Sequence, residues 1–256
     1  MKGLRQHPFR IIARLTWFGG EVLLSLFDFV FRCMFCPKAS RRCARARWLQ
    51  RICRRSIRIF RLEIQSAGTI PSQGLLISNH VSYLDILLLS SLTPSVFVAK
   101  REVKSWPVMG MLARLGGTVF INRERRTHVG EVNDEIQKAL DDGVLVVVFP
   151  EGTSSDGETI LPFKSSLLEP ATQPKHLLAL GCIQYTLADG DAGAEVCYWG
   201  DAVFLPHLLN LLSKRSVRAS VRFAPVQNRS PDRKELAQQL HAEVLALKPR
   251  LPCKAV

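Results

Sequence analysis

Acidic side chains are almost missing from the first quarter of this sequence. Residues 1–61 contain only Glu21 and Asp28 against fifteen Lys and Arg, whereas residues 62–256 carry twenty of each sign. The formal charge of +13 is therefore a property of one N-terminal segment attached to a balanced body. A long uninterrupted apolar run is also lacking. The best stretch, LTWFGGEVLLSLFDFVF at 15–31, is short and broken by both acids, so it is not a clean membrane span. The chain lacks a clear A-x-A-like cleavage site, and a removable signal peptide is not expected. The cysteines offer no disulfide framework. Seven is an odd number, and a chain of this size needs no staples, so reduced thiols in a cytosol-facing protein are expected. Cys33 and Cys36 have C-x-x-C spacing, but zinc wants a second close pair, and Cys43 with Cys53 is a poor candidate. No metal site is expected. The chain has no G-x-S-x-G elbow, P-loop, G-x-G-x-x-G or HExxH. The usual markers of serine hydrolases, nucleotide-triphosphate enzymes and zincins are thus absent. A hydrophobic content of 47% excludes intrinsic disorder.

What the N-terminal segment does contain is periodic. Arg14, Glu21, Ser25, Asp28 and Arg32 follow one another at spacings of 7, 4, 3 and 4, which makes one narrow polar stripe on an otherwise apolar helix. SRRCARARWLQRICRRSIRIFR at 40–61 interleaves arginines with Trp48, Leu49, Ile52, Ile57, Ile59 and Phe60. An arginine-rich amphipathic helix beside an apolar one reads as an anchor on an anionic membrane surface, each basic residue contributing about 1 kcal/mol. Nucleic acid is the rival partner, but an apolar helix is of no use to a nucleic-acid binder, so no nucleic acid is expected. The plain alternative is a helix pair packed on the domain with a solvated basic face. The expected organisation is a membrane-associating segment over 1–56 and a folded domain over 57–256, at the cytoplasmic face of the membrane.

Beyond residue 57, strand-like runs (57–64, 74–79, 95–99, 117–122, 144–149, 177–185, 194–199 and 217–224) alternate with helical patterns (83–92, 106–115, 127–141, 203–213 and 231–248). This predicts a single α/β domain with a mixed, largely parallel sheet flanked by helices. Three polar clusters fall at predicted strand ends, where open α/β sheets gather their sites. NHVSYLD spans 79–85, GGTVFINR spans 116–123 and FPEGTSSDG spans 149–157.

In the first cluster, His80 and Asp85 would diverge by about 140° on one ideal helix. They meet only if a strand ends near Asn79 and a helix starts near Ser82. Asp85 then accepts the Nδ1–H of His80 and leaves Nε2 free as a base. That is two members of a triad without a protein nucleophile; a structural hydrogen bond at a helix start is the competing reading. In the second cluster Arg123, with Arg125 and Arg126 beyond it and Lys100 ending a neighbouring strand, suits phosphate; plain surface charge is the alternative. In the third, Gly152 between Glu151 and Thr153 permits a tight turn and close backbone approach to a ligand, or is simply a strand-end turn.

Together and in order, the clusters resemble the glycerolipid acyltransferase family typified by bacterial 1-acyl-sn-glycerol-3-phosphate acyltransferases. N-H-x-S-x-x-D matches Asn79, His80, Ser82 and Asp85. G-x-x-F-I-x-R matches Gly117, Phe120, Ile121 and Arg123. F-P-E-G-T matches Phe149, Pro150, Glu151, Gly152 and Thr153. Residues 97–117 and 161–171 are also similar. The resemblance implies transfer of an acyl group from acyl-CoA or acyl-carrier protein to a lysolipid hydroxyl, first of all 1-acyl-sn-glycerol-3-phosphate. His80 would be the base and Asp85 its orienter. Asn79, Ser82, Lys100, Gly117, Phe120, Arg123, Glu151, Gly152 and Thr153 would bind substrate, and no metal or redox cofactor is implied. Two departures touch the acceptor. Ser154-Ser155 stands where the family commonly has Arg-Ser, and 177–185 lacks the proline of the fourth block. TSSDG and FKSSLLEPA are similar to members that acylate lyso-ornithine lipid. A pseudoenzyme, a lysophospholipid hydrolase and a non-catalytic basic membrane-surface protein are the competing classes.

Overall fold

The computed structural model describes residues 7–122 and 126–248. Helix α1 (Pro8–Phe29) runs into a π turn at Val30–Met34, and α2 (Arg41–Phe60) follows. The body continues as β1 (Leu62–Ala67), β2 (Gly74–Ser78), α3 (Leu84–Leu92), β3 (Ser95–Lys100), a 3-10 turn Arg101–Ser105, α4 (Met109–Gly116) and β4 (Val119–Ile121). It closes with α5 (Arg126–Asp141), β5 (Leu145–Val148), α6 (Glu169–Thr172), β6 (Leu178–Thr186), α7 (Ala192–Glu195), α8 (Phe204–Ser213), β7 (Val217–Pro225) and α9 (Arg233–Leu247). The seven strands order as β1-β7-β6-β2-β5-β3-β4. All neighbours are parallel except β6 and β7, which reverse the direction at one edge. The predicted mixed, largely parallel α/β domain is what the chain forms.

The reason lies in side-chain pattern. GLLIS and LVVV are buried at every position, as central parallel strands covered on both faces must be. Leu76 and Val147 face α1, α2, α3 and α8; Leu75, Ile77, Val146 and Val148 face α5 and α9. β7 instead alternates buried and open positions, consistent with a face only partly covered. Asp232 caps α9 by accepting from the backbone N–H groups of Lys234 and Glu235.

Two expected strands are corrected. Residues 57–60 belong to α2, whose Ile59 and Phe60 are buried; the helix ends at Arg61 in a left-handed conformation (φ 53°), and β1 starts only after it. Residues 194–199 are not a strand. α7 occupies 192–195, and the following strap pairs with a loop rather than with the sheet: Tyr198 N–H donates to Val81 O (2.8 Å), and Val196 O accepts from Ser82 Oγ (2.8 Å). The expected division at 56/57 falls inside α2, and Trp48, Leu49, Ile52 and Cys53 of that helix belong to the core.

The polar stripe of α1 turns inward. Arg14 donates to Leu212 O (2.8 Å) and Lys214 O (2.7 Å), satisfying orphan carbonyls at the end of α8. Glu21 accepts from Arg55 and Ser25, Asp28 pairs with Arg51 (2.8 Å), and Trp48 Nε1–H reaches Ser25 O (2.7 Å). The apolar side of α1 consequently faces out, with Phe9, Ile12, Trp17, Leu23, Leu24 and Phe27 exposed. Many α2 arginines are likewise spent within the fold: Arg42 on Asp142, Arg45 on Leu115 O, Arg51 on Asp28, Arg54 on Ser91 O and Arg55 on Glu21.

Candidate active site

β2 ends at Ser78 and α3 begins at Leu84, which provides the change of backbone form that a His80–Asp85 contact requires. Asn79 holds the turn by a double bond to β6: its Nδ2 donates to Ile183 O (3.0 Å) and its Oδ1 accepts from Ile183 N–H (2.7 Å). Asp85 is fully buried and its oxygens meet four donors. Oδ2 takes His80 Nδ1–H (2.7 Å), Val81 N–H (2.9 Å) and Ser82 N–H (3.1 Å); Oδ1 takes the Tyr185 hydroxyl (2.9 Å). Burial, reinforced by the Asp85 charge, holds the Tyr185 phenol well above its ordinary range, so it stays a donor. In the neutral imidazole, an acceptor-only carboxylate at Nδ1 selects the tautomer with its proton on Nδ1 and its lone pair on Nε2. The His80 side chain is 23% exposed and stacks on Phe149 with ring centres 4.3 Å apart.

Glu151 is the second clamp. It is 1% exposed, its Oε1 accepts from His80 N–H (2.6 Å) and its Oε2 from Leu161 N–H (2.7 Å). Burial pushes this carboxyl up to about 7 while the two backbone donors pull the other way. Ser155 N–H donates to His80 O (2.9 Å), so the 151–155 loop grips His80 from both sides of its peptide. Glu151→Gln is expected to be nearly as damaging as Glu151→Ala. A glutamine has one acceptor oxygen for two backbone donors, and its NH2 group must face one of them. The expected cost is about 1–3 kcal/mol of stability, measured as a lowered thermal melt. A melt equal to that of the unmodified chain refutes the clamp.

His80 opens into a cavity of about 310 Å³. Of the residues expected to bind substrate, Lys100, Gly152 and Thr153 line it. Asn79, Ser82 and Glu151 lie buried behind its wall and are bonded to backbone instead. Gly117 ends α4 in a left-handed conformation (φ 86°) near Arg45 and Val96, and Phe120 sits half-buried on β4; neither lines the cavity. Arg123 lies outside the described residues.

Sequence reading missed the aromatic wall. Tyr83, Trp106, Tyr198 and Trp199 also line the cavity. Phe204 and His207 pack against Tyr83, with ring centres at 5.2 and 5.5 Å. Burial lowers the His207 pKa and keeps the ring neutral; Nε2–H donates to Cys197 O (3.1 Å) and Nδ1 accepts the Tyr83 hydroxyl (2.9 Å). The one local signal was the Tyr198-Trp199-Gly200 triplet, whose two aromatics fall at the end of the strand expected over 194–199. A second, apolar cavity of about 110 Å³ lies between α1, α2, α3 and α4 and shares Tyr83, Ile86, Phe97 and Trp106 with the first. The cavity that His80 lines thus adjoins an apolar slot.

The acyltransferase family model matches residues 61–185, which include all three clusters. The lyso-ornithine lipid O-acyltransferase of Rhizobium meliloti (strain 1021) is 38% identical over 210 residues, covering 75% of this chain and 72% of that protein. The 1-acyl-sn-glycerol-3-phosphate acyltransferase of Neisseria gonorrhoeae is 34% identical over 179 residues, covering 69% and 70%. In fold, the chain is similar to the 1-acyl-sn-glycerophosphate (LPA) acyltransferase PlsC from Thermotoga maritima, with a TM-score of 0.68 at 19% identity over 98% of this chain and 100% of that one. The chain therefore belongs to the acyltransferase family.

Proposed function

We propose that this protein esterifies the free hydroxyl of a lysolipid with an acyl group from a thioester donor, acyl-CoA or acyl-carrier protein. The single observation that carries the reading is the His80–Asp85 pair, its Nε2 left free at a cavity that continues into an apolar slot. His80 Nε2 takes the proton of the acceptor hydroxyl as its oxygen attacks the thioester carbonyl. Asp85 holds the imidazolium, and the same proton then goes to the departing thiolate. The acyl tail occupies the slot bounded by Ile52, Leu87 and Leu112. No metal or redox step is invoked.

For the acceptor, lyso-ornithine lipid is the reading we favour. It is the acceptor named for relatives at 38% and 37% identity. Ser154, where the family commonly places a phosphate-suited arginine, spends its hydroxyl on Tyr198 O. 1-Acyl-sn-glycerol-3-phosphate is the second reading, favoured by Lys100 at the cavity and by Arg123 in the sequence. Mass spectrometry of products from a mixed lysolipid panel with acyl-CoA decides. O-acylated lyso-ornithine lipid formed at the higher kcat/KM is expected. Free fatty acid alone means a hydrolase, and no product at all means a pseudoenzyme or a membrane-surface protein.

The membrane reading rests on the inverted α1. An exposed row of Phe9, Trp17, Leu24 and Phe27 gains by burial in a lipid interface roughly 5–10 Å deep. Arg41, Arg47 and Arg58 are exposed on α2 with no bonded partner among the described residues, and anionic headgroups suit them. No helix among the described residues is long and apolar enough to cross a membrane. We therefore place α1 in the plane of the cytoplasmic leaflet, which delivers the lysolipid hydroxyl to the His80 cavity without lifting its tail into water.

A further inference from the structure

We propose that the backbone N–H groups of Thr153 and Ser154 form the oxyanion hole of this site; the assignment rests on the acyl-transfer reading above. Attack on a thioester puts a full negative charge on the former carbonyl oxygen, and donors must already be aimed at it. The 151–155 loop is tied to His80 at both ends: Glu151 Oε1 accepts His80 N–H (2.6 Å), and Ser155 N–H donates to His80 O (2.9 Å). The three residues between these ties, Gly152, Thr153 and Ser154, all line the cavity that His80 lines. Gly152 N–H is spent on Phe149 O (3.1 Å). Thr153 N–H and Ser154 N–H have no acceptor among the described residues, and the Ser154 hydroxyl is turned to Tyr198 O. Gly152 has φ 78°, the left-handed step by which successive N–H groups converge into an anion-binding concavity.

In the step itself, the acceptor oxygen bonds to the thioester carbon and its proton passes to His80 Nε2. The carbonyl π pair moves onto oxygen, where the two N–H groups hold it. Collapse reforms C=O and breaks the C–S bond; the sulfur keeps that electron pair and takes the proton from His80. Ester and free thiol are the products, with no other reactant consumed.

The test replaces one peptide N–H at a time by an ester oxygen in the full chain, using the α-hydroxy acid counterpart of Thr153 or of Ser154. This keeps backbone shape and removes the donor, while weakening the preceding carbonyl as an acceptor. Turnover is read with acyl-CoA and, separately, lyso-ornithine lipid and 1-acyl-sn-glycerol-3-phosphate in mixed micelles. Each ester is expected to lower kcat by roughly 10²–10³-fold with KM for acyl-CoA little changed. Thr153→Pro and Ser154→Pro delete the same donors by ordinary mutagenesis, with circular dichroism to confirm folding, and the same direction is expected. The control is an ester at Thr159, whose N–H bonds to Asp156 Oδ1 (3.1 Å) in the adjoining loop; its kcat should stay near that of the unmodified chain. Esters at both 153 and 154 that leave kcat within about threefold overturn the assignment. Lack of acyl transfer to either acceptor by the unmodified chain defeats the underlying reading instead, so the two failures are separable.

Discussion

His80→Ala is expected to lower acyl transfer by about 10³–10⁴-fold, down to what binding and the remaining polar groups supply. The loss should fall on kcat, since the imidazole acts on the proton that moves in the transition state and not on the lipid tail. Folding should survive. His80 is partly exposed, and its backbone bonds to Glu151 and Ser155, which grip the loop, do not involve the ring. Thiol release from acyl-CoA plus lysolipid, beside a circular dichroism spectrum, checks both halves. Turnover within tenfold of the unmodified chain would sink the base assignment. Asp85 is a poorer probe: its carboxylate meets four donors in a fully buried position. Removing it strands buried N–H groups and confounds catalysis with stability.

The triple variant Trp17→Glu/Leu24→Glu/Phe27→Glu is expected to release the protein from anionic vesicles, weakening binding by at least about a hundredfold. These side chains are 52%, 64% and 66% exposed and share one face of α1. Each apolar side chain buried in lipid is worth about 1.5–3 kcal/mol, and a carboxylate there adds repulsion from the surface. Because the inward side of α1 is untouched, Arg14, Glu21 and Asp28 keep their partners, and the thermal melt should barely move. Co-sedimentation with phosphatidylglycerol vesicles measures the effect. Undiminished binding would overturn the interface reading. Deleting residues 1–56 is a blunter test, since it removes Trp48 and Ile52 from the core.

Individual residues show how far the sequence was legible. The His80–Asp85 contact needed only a strand-to-helix junction within one short stretch, so local pattern sufficed. The sheet was equally plain, because GLLIS and LVVV can be covered on both faces only inside a largely parallel sheet. The strap at 196–200 was misread. Val196 and Cys197 are buried like strand residues, but the backbone pairs with the 81–83 loop, and side-chain alternation carries no information about where a backbone hydrogen bond goes.

By itself the sequence determined the α/β class, the contact between His80 and Asp85, and the existence of a two-faced N-terminal helix. Each of these is set by neighbours a few residues apart, within one turn or one strand. Tertiary structure alone decided which face of α1 looks outward. Periodicity separates two faces without naming the inner one; partners brought in from elsewhere in the chain, among them Leu212, Lys214, Trp48, Arg51 and Arg55, draw the polar stripe to the core side. It also decided that Asn79, Ser82 and Glu151 support the cavity wall rather than line it, because their partners Ile183, Val196 and Leu161 come from segments that approach only when the sheet assembles and buried polar groups must find bonds.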